Sequence, residues 1–203
     1  MSENGFSQPA KASNADEYLS SERRASSRNE LAGGKILAKA GSNRWQSLIA
    51  SNAAIAIGSR LKGNKSDVYI NDMRVQLKRD QVCYPNVVIV NGEPIFADVN
   101  NDQLTNPTVV LEIYSDAVNS ASKSQKLESY LALNSIRECF LIKSDEMRVE
   151  HYAKQNAKQW IYKIYNERED VITIDAVNCK ISLSELYAQI KFRPTAITSA
   201  AVN

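Results

Sequence analysis

Histidine is almost missing from this chain: His151 is the only one in 203 residues. A His-rich metal centre is thereby excluded, and Ser/His/Asp or Cys/His catalysis has a single imidazole to draw on. Cysteine is scarce too. Cys83, Cys139 and Cys179 are odd in number, far apart and without a CxxC pair, so they build neither a disulfide framework nor a thiolate zinc site. They read as reduced, mostly buried thiols, and the protein as cytoplasmic. No run of about 18 apolar residues exists, which excludes a helical membrane span. The polar N-terminal residues lack the apolar core of a signal peptide. A large charge of one sign is also absent: 25 Lys+Arg against 23 Asp+Glu leave a formal net charge of +2. That surplus permits contact with nucleic acid without demanding it. Carboxylates and lysines are left to carry any chemistry.

Hydrophobic residues at 43% and charged residues at 24% are the proportions of a soluble domain with its own core. The expected layout is a flexible leader over 1–14, a single domain over 15–192 and a tail over 193–203. Ala15 to Ala25 predicts a short helix anchored by Tyr18 and Leu19, with Asn14 or Asp16 as cap. Gly33-Gly34 marks a turn inside a strand pair between Arg28 and Ala40. Gly41 to Leu61 is the clearest helix. Trp45, Leu48, Ile49, Asn52, Ala53 and Ala56 recur at three- and four-residue steps, Ser42 or Asn43 caps the start, and Gly63 follows the end.

Asp67 to Leu77 reads as one alternating strand with Val68, Ile70 and Val75 inward. Val82 to Val90 reads as a second, whose run Val87-Val88-Ile89-Val90 implies burial on both faces. A long polar loop, Asn91 to Pro107, leads to a third buried strand, Thr108 to Tyr114. An amphipathic helix follows over Ser120 to Leu133, with Leu127, Tyr130 and Leu131 inward. Strands are expected at Arg137 to Ile142, Arg148 to Ala153, Gln159 to Tyr165 and Val171 to Ile174, and a last helix at Ser182 to Ile190. The order predicts an α/β (α+β) domain, a mixed sheet flanked by helices.

Three features bear on chemistry. Tyr84-Pro85-Asn86 opens the apolar strand Val87 to Val90. Glu112 interrupts Val109-Val110-Leu111 and Ile113, and a carboxylate inside an apolar strand is costly to bury without a partner. It is either a strand-end glutamate facing solvent or a lysine, or else a metal ligand or general base. Lys126 lies on the next helix, where the commonplace reading is a solvated side chain.

These residues, taken in order, resemble a family. Tyr84-Pro85-Asn86-Val87-Val88-Ile89-Val90, then Asn106-Pro107-Thr108-Val109-Val110-Leu111-Glu112-Ile113-Tyr114-Ser115, then Lys126 and Tyr130, look like the Uma-two family of bacterial endonucleases in the PD-(D/E)xK, restriction-endonuclease-like superfamily. The likeness continues through Ser135 to Ile142 and Arg148 to Tyr152. Upstream it takes in Glu22, Arg28-Asn29-Glu30, Gly34, Ala40-Gly41 and Asn52. It spans roughly residues 15 to 190.

The resemblance implies a restriction-endonuclease-like fold and metal-dependent cleavage of DNA. An aspartate after the proline and a glutamate on the next core strand would hold Mg²⁺ or Mn²⁺, with a lysine at the phosphate. Carried over residue by residue, the metal set is Glu112, Asn86 and the backbone carbonyl of Ile113. The catalytic set is Glu112, Lys126, Asn86, Glu30 and Gln46. Several positions depart from the pattern. Asn86, neutral, replaces the aspartate. Gln46 stands where relatives carry histidine, Gly33 and Lys35 where acids are expected, and Ser122 replaces an aspartate four residues before Lys126. Losing formal charge weakens a hard-cation site, so the expectation is an impaired or inactive endonuclease. The alternatives are a degenerate nuclease-fold protein that binds nucleic acid or a protein partner, and an oligomerisation module. Arg44, Lys62, Lys65, Arg74, Lys78 and Arg79 would supply phosphate contacts in the first, and edge strands such as Trp160 to Tyr165 would pair a homodimer in the second.

Overall fold

Alternate residues of the Val87–Val90 run face two different cores in the computed structural model, which describes residues 14–116 and 120–192. Val87 and Ile89 join one cluster, Val88 and Val90 the other. A strand with a period of two can be apolar throughout only if both its faces are covered, and the remaining elements provide the covers.

In chain order these are α1 (Ala15–Glu22), β1 (Asn29–Ala32), β2 (Lys35–Ala38), α2 (Arg44–Leu61), β3 (Ser66–Ile70), β4 (Arg74–Lys78), β5 (Gln81–Cys83), β6 (Val87–Asn91), β7 (Gln103–Leu104) and β8 (Val109–Tyr114). Then come α3 (Ser120–Ala132), β9 (Glu138–Lys143), β10 (Val149–Asn156), β11 (Gln159–Tyr165), β12 (Val171–Ile174), β13 (Cys179–Ser182) and α4 (Leu183–Leu186). The central sheet has six strands in the order β11-β10-β9-β8-β6-β3. It is mixed: β8 and β9 run parallel, joined by the crossover helix α3, and the other neighbours are antiparallel. On one face, Ile49, Ala53 and Ile57 of α2 pack on Val87, Ile89, Val109 and Leu111, together with the β12–β13 ribbon and α4. On the other face, Tyr130 of α3 and a five-stranded sheet ordered β2-β1-β5-β4-β7 cover Val88, Val110 and Leu141. The mixed α+β architecture expected from the sequence is the one observed.

Local chemistry sets the element ends. Asn14 caps α1, its Oδ1 accepting the N–H groups of Asp16 and Glu17 at 3.0 Å. Asn43 caps α2 in a reciprocal capping box with Gln46, both bonds at 2.9 Å, a device that satisfies two otherwise unpaired donors. Gly33 and Gly34, at φ 56° and 73°, form the two-residue β1–β2 turn, which needs left-handed backbone at both positions.

Several boundaries correct the sequence reading. The strand expected over Asp67 to Leu77 is two strands in two sheets. Asn71 takes φ 52° and turns the chain from β3 into β4, and Ile70, expected inward, is 47% exposed. The strand expected over Val82 to Val90 is likewise split, because Pro85 has no N–H to continue a ladder and Tyr84-Pro85-Asn86 carries the chain from the small sheet into the large one. The loop Asn91 to Pro107 contains β7, paired in parallel with β4. Helix α1 ends at Glu22 rather than Ala25, and the helix expected over Ser182 to Ile190 is the short α4, preceded by the unforeseen strand β13. The expected leader, apart from Asn14, and the expected tail lie outside the described residues. No helix among the described residues is long and apolar enough to cross a membrane.

Candidate active site

The ladder between β6 and β8 pairs Val87 with Leu111. One more step along the same register sets Asn86 opposite Glu112. Both belong to the even-numbered face, which α3 covers, so strand alternation and the crossover helix bring positions 86, 112 and 126 together. They line one cleft of about 430 Å³ with Glu30, Gln46, Ile113, Lys39 and Tyr130. All six candidates from the sequence therefore surround a single space. A larger hollow of about 640 Å³, around Arg137 and Lys154, lies elsewhere and contains none of them.

Lys126 is the hub. Its Nζ lies 2.9 Å from Glu112 Oε1 and 3.1 Å from Glu30 Oε1, although the two glutamates come from different sheets. Burial works against the Lys126 charge, yet the carboxylates of Glu112 and Glu30 hold the ammonium well above its ordinary range. Burial likewise opposes the Glu30 charge, and Lys126, the Tyr84 N–H and Lys39 together outweigh it, so the Glu30 carboxyl sits below its usual range. An ionised Glu30 and a protonated Lys126 follow at neutral pH.

Each partner is held in turn. The Tyr130 hydroxyl donates to Glu112 Oε1. Burial pushes that phenol far above its ordinary value, so it remains a donor. With its hydrogen given to Glu112, its oxygen faces the buried Cys83 thiol at 3.2 Å. Glu30 Oε1 also accepts the Tyr84 N–H at 3.0 Å. Glu22 is 7% exposed and accepts from Asn29 N–H and the Tyr84 hydroxyl, both at 2.8 Å, which pins the strand that bears Glu30 to the turn before Asn86.

Asn86 is 6% exposed. Its Oδ1 accepts the Ile113 N–H at 2.7 Å, and its Nδ2 faces Asn71 Oδ1 at 3.5 Å. Gln46 is occupied in a similar way: Oε1 in the α2 capping box and Nε2 toward the Ile113 carbonyl at 3.5 Å. The contacts to Lys126, Tyr130 and Tyr84 all run through Oε1 of Glu112 or of Glu30. No group of three or more His, Cys, Asp or Glu side chains among the described residues is placed to hold a metal ion. Oxygen donors for a cation are thus two carboxylates, and Mg²⁺ is commonly held by one or two of these with water and substrate phosphate.

Sequence reasoning missed Lys39. Its Nζ donates to the Tyr84 carbonyl at 2.6 Å and lies 3.9 Å from Glu30, a second ammonium in the cleft. Nothing in the local pattern distinguishes it from a surface lysine just past β2. Of the suggested phosphate contacts, Arg74 is committed instead to the Tyr84 hydroxyl and Asp102.

Residues 15–185 match the Uma2 family, described as "Putative restriction endonuclease". The chain belongs to that family. This Uma2 chain is 28% identical over 148 residues to "Uncharacterized protein sll1609" from Synechocystis sp. (strain ATCC 27184 / PCC 6803 / Kazusa), covering 72% of this chain and 84% of the relative. Its fold is similar to the crystal structure of a "putative nuclease belonging to DUF820" from Anabaena variabilis ATCC 29413. The TM-score is 0.70 at 19% identity, over 88% of the Uma2 chain and 99% of the other.

Proposed function

We propose that this Uma2 protein is a metal-dependent DNA endonuclease of the PD-(D/E)xK type whose catalysis is impaired at Asn86. The observation that carries the reading is the Lys126 ammonium set between the Glu112 and Glu30 carboxylates in a cleft that also presents Asn86. A lysine beside two acids at the end of paired core strands is the donor set of metal-assisted phosphodiester hydrolysis.

The residues fit Mg²⁺ or Mn²⁺ in part. Glu112 and Glu30 each bring a carboxylate to the cleft. Asn86 is neutral and its oxygen is taken by the Ile113 N–H, so it adds no charge, and the Ile113 carbonyl faces Gln46. A bound ion would lower the pKa of an attacking water and stabilise charge on the phosphate. Glu112, steadied by Tyr130, is the principal carboxylate ligand, and Glu30 stands in for the missing aspartate. Lys126 offsets charge on the scissile phosphate, and Lys39 adds a second cation on the same side. With the carboxylates already neutralised in part by two ammonium groups, a site short of one aspartate holds a dication weakly, and slow cleavage follows.

The same neutralisation favours a second reading: a cleft stable without metal that binds nucleic acid and does not cut it. One experiment separates the two. Plasmid nicking and Mn²⁺ binding by isothermal titration are compared for the parent protein, Asn86→Asp and Glu112→Ala. The proposal expects weak Mn²⁺-dependent nicking by the parent, a gain in Asn86→Asp and none in Glu112→Ala. Salt-sensitive DNA binding without nicking in all three selects the second reading. Nicking by Glu112→Ala overturns the site.

A further inference from the structure

Lys126 meets each carboxylate of the cleft at a single oxygen, 2.9 Å from Glu112 Oε1 and 3.1 Å from Glu30 Oε1. An ionised carboxylate oxygen has room for about two donors. On Glu112 Oε1 those places go to the Tyr130 hydroxyl and to Lys126. On Glu30 Oε1 they go to the Tyr84 N–H at 3.0 Å and to Lys126. Tyr130 is fully buried, and the Tyr84 N–H belongs to the main chain. Lys126 differs from both. Its side chain is 26% exposed, and its ammonium is carried on a flexible four-carbon stem. It can leave the two oxygens without moving the backbone.

We propose that in the metal-free protein Lys126 holds the place of the dication between Glu112 and Glu30, and that a nucleic-acid phosphate draws it off, so that metal and substrate bind together. The inference rests on the metal-dependent reading above and adds to it the order in which the site assembles.

Charge favours such an exchange. Lys126 and Lys39, the latter 3.9 Å from Glu30, set two ammonium groups against two carboxylates. A dication added alone brings two uncompensated positive charges into a partly buried cleft, where like charges repel more than in water. A phosphodiester added with it supplies a negative charge. It also gives Lys126 a new acceptor, since lysine binds phosphate as a point charge. The metal then meets two carboxylates that it no longer shares with Lys126. Asn86 sharpens the competition. It is neutral, its oxygen is held by the Ile113 N–H, and Glu30 and Glu112 are the acids among the described residues that line the cleft. Coupling of this kind is reciprocal, so the metal raises affinity for the phosphodiester by the same factor.

The test titrates Mn²⁺ calorimetrically into the full chain as parent, Lys126→Met and Asn86→Asp. Each is measured alone and with a phosphorothioate DNA duplex, and the heat of Mn²⁺ into duplex alone is subtracted. Without DNA, Lys126→Met should bind Mn²⁺ about 10-fold more tightly than the parent, because a positive charge is gone and each glutamate regains an acceptor place. The duplex should tighten Mn²⁺ binding by the parent about 5–150-fold, the usual range for coupled sites, and by Lys126→Met less. Lys126→Gln takes over if Lys126→Met loses the parent's circular dichroism. Mn²⁺ binding that is no tighter in the lysine variant than in the parent, while Asn86→Asp gains it, overturns the inference and leaves the endonuclease reading standing. Tight binding by the lysine variant, with no nicking by the parent or Asn86→Asp, upholds the exchange and removes the endonuclease. No Mn²⁺ binding by any of the three overturns both.

Discussion

Asn86 Oδ1 accepts the N–H of Ile113 at 2.7 Å, one step beyond the last backbone pair of β6 and β8. The side chain extends the ladder where the main chain stops. A carboxylate makes the same bond, so Asn86→Asp should fold as the parent does, with thermal stability changed little. It should bind Mn²⁺ about 10–100-fold more tightly, the scale on which a group that orients or charges a metal site acts. Asn86→Ala leaves the buried Ile113 N–H without an acceptor and should cost about 1–3 kcal/mol in urea unfolding. An alanine variant as stable as the parent would mean that this bond contributes nothing.

The Lys126 hub should be visible in the pH dependence of stability. Glu30 is held below its ordinary range, so its contribution is complete above about pH 4.3, the unfolded value, and is lost as pH falls through the lower folded value. Lys126 is held above its ordinary range. Its contribution is complete below about pH 10.4 and is lost as pH rises through the raised folded value. Lys126→Met removes the main attraction that keeps Glu30 ionised. With Glu30 no longer held below its unfolded value, the acid-side loss of stability should shrink, and so should the alkaline loss. Unfolding at neutral pH should weaken by about 1–3 kcal/mol, since two partly buried carboxylates lose their partner. An acid limb identical to the parent's would contradict the geometry.

A second buried acid offers a test away from the cleft. Glu138, 2% exposed, meets His151 Nε2 at 2.9 Å and accepts the N–H groups of Asp175 at 3.3 Å and Ala176 at 2.9 Å. It ties β9 and β10 to the 3-10 turn Asp175–Val177 that leads into β13. Glu138→Ala strands two backbone donors and the imidazole, and should destabilise the chain by about 2–5 kcal/mol. Hydrogen exchange should quicken first in the β12–β13 ribbon. Uniform loss of protection across the sheet would show that Glu138 does not anchor that ribbon in particular.

The three thiols should be inert in the native protein. All are buried, and burial pushes the Cys83 thiol up to about 12 and raises Cys139 and Cys179 as well. Thiolate, the reactive form, is then negligible at neutral pH. A thiol-disulfide reagent should leave the folded chain unlabelled and label all three cysteines in denaturant. Fast labelling of the folded protein would place at least one thiol at the surface.

Much of this architecture was legible because periodicity reports burial. The 3.6 period of Trp45 to Ala56 marked α2, and the unbroken Val87–Val90 run marked a strand covered on both sides. Glu112, a charge in an apolar strand, drew attention for a similar reason, and the family resemblance, not spacing, set Lys126 of the following helix beside it. The breaks at Asn71 and at Tyr84-Pro85-Asn86 were harder to read. A strand that leaves one sheet for another keeps its apolar alternation, so the pattern continues while the partner changes. Lys39 was invisible for a different reason: its carbonyl and carboxylate partners lie far off in sequence.

By itself, the sequence determined which faces must be buried, which pair of residues could cap each of the first two helices, and that carboxylate and lysine would do any chemistry in a chain with one imidazole. Only the tertiary structure decided that Glu30, from a hairpin in the smaller sheet, meets Lys126 beside Glu112, and that the amide of Asn86 is spent on the neighbouring strand. The reason is range. Propensity and periodicity act over a few residues, whereas hydrogen bonds and ion pairs depend on distances of a few ångströms that folding alone sets between remote segments.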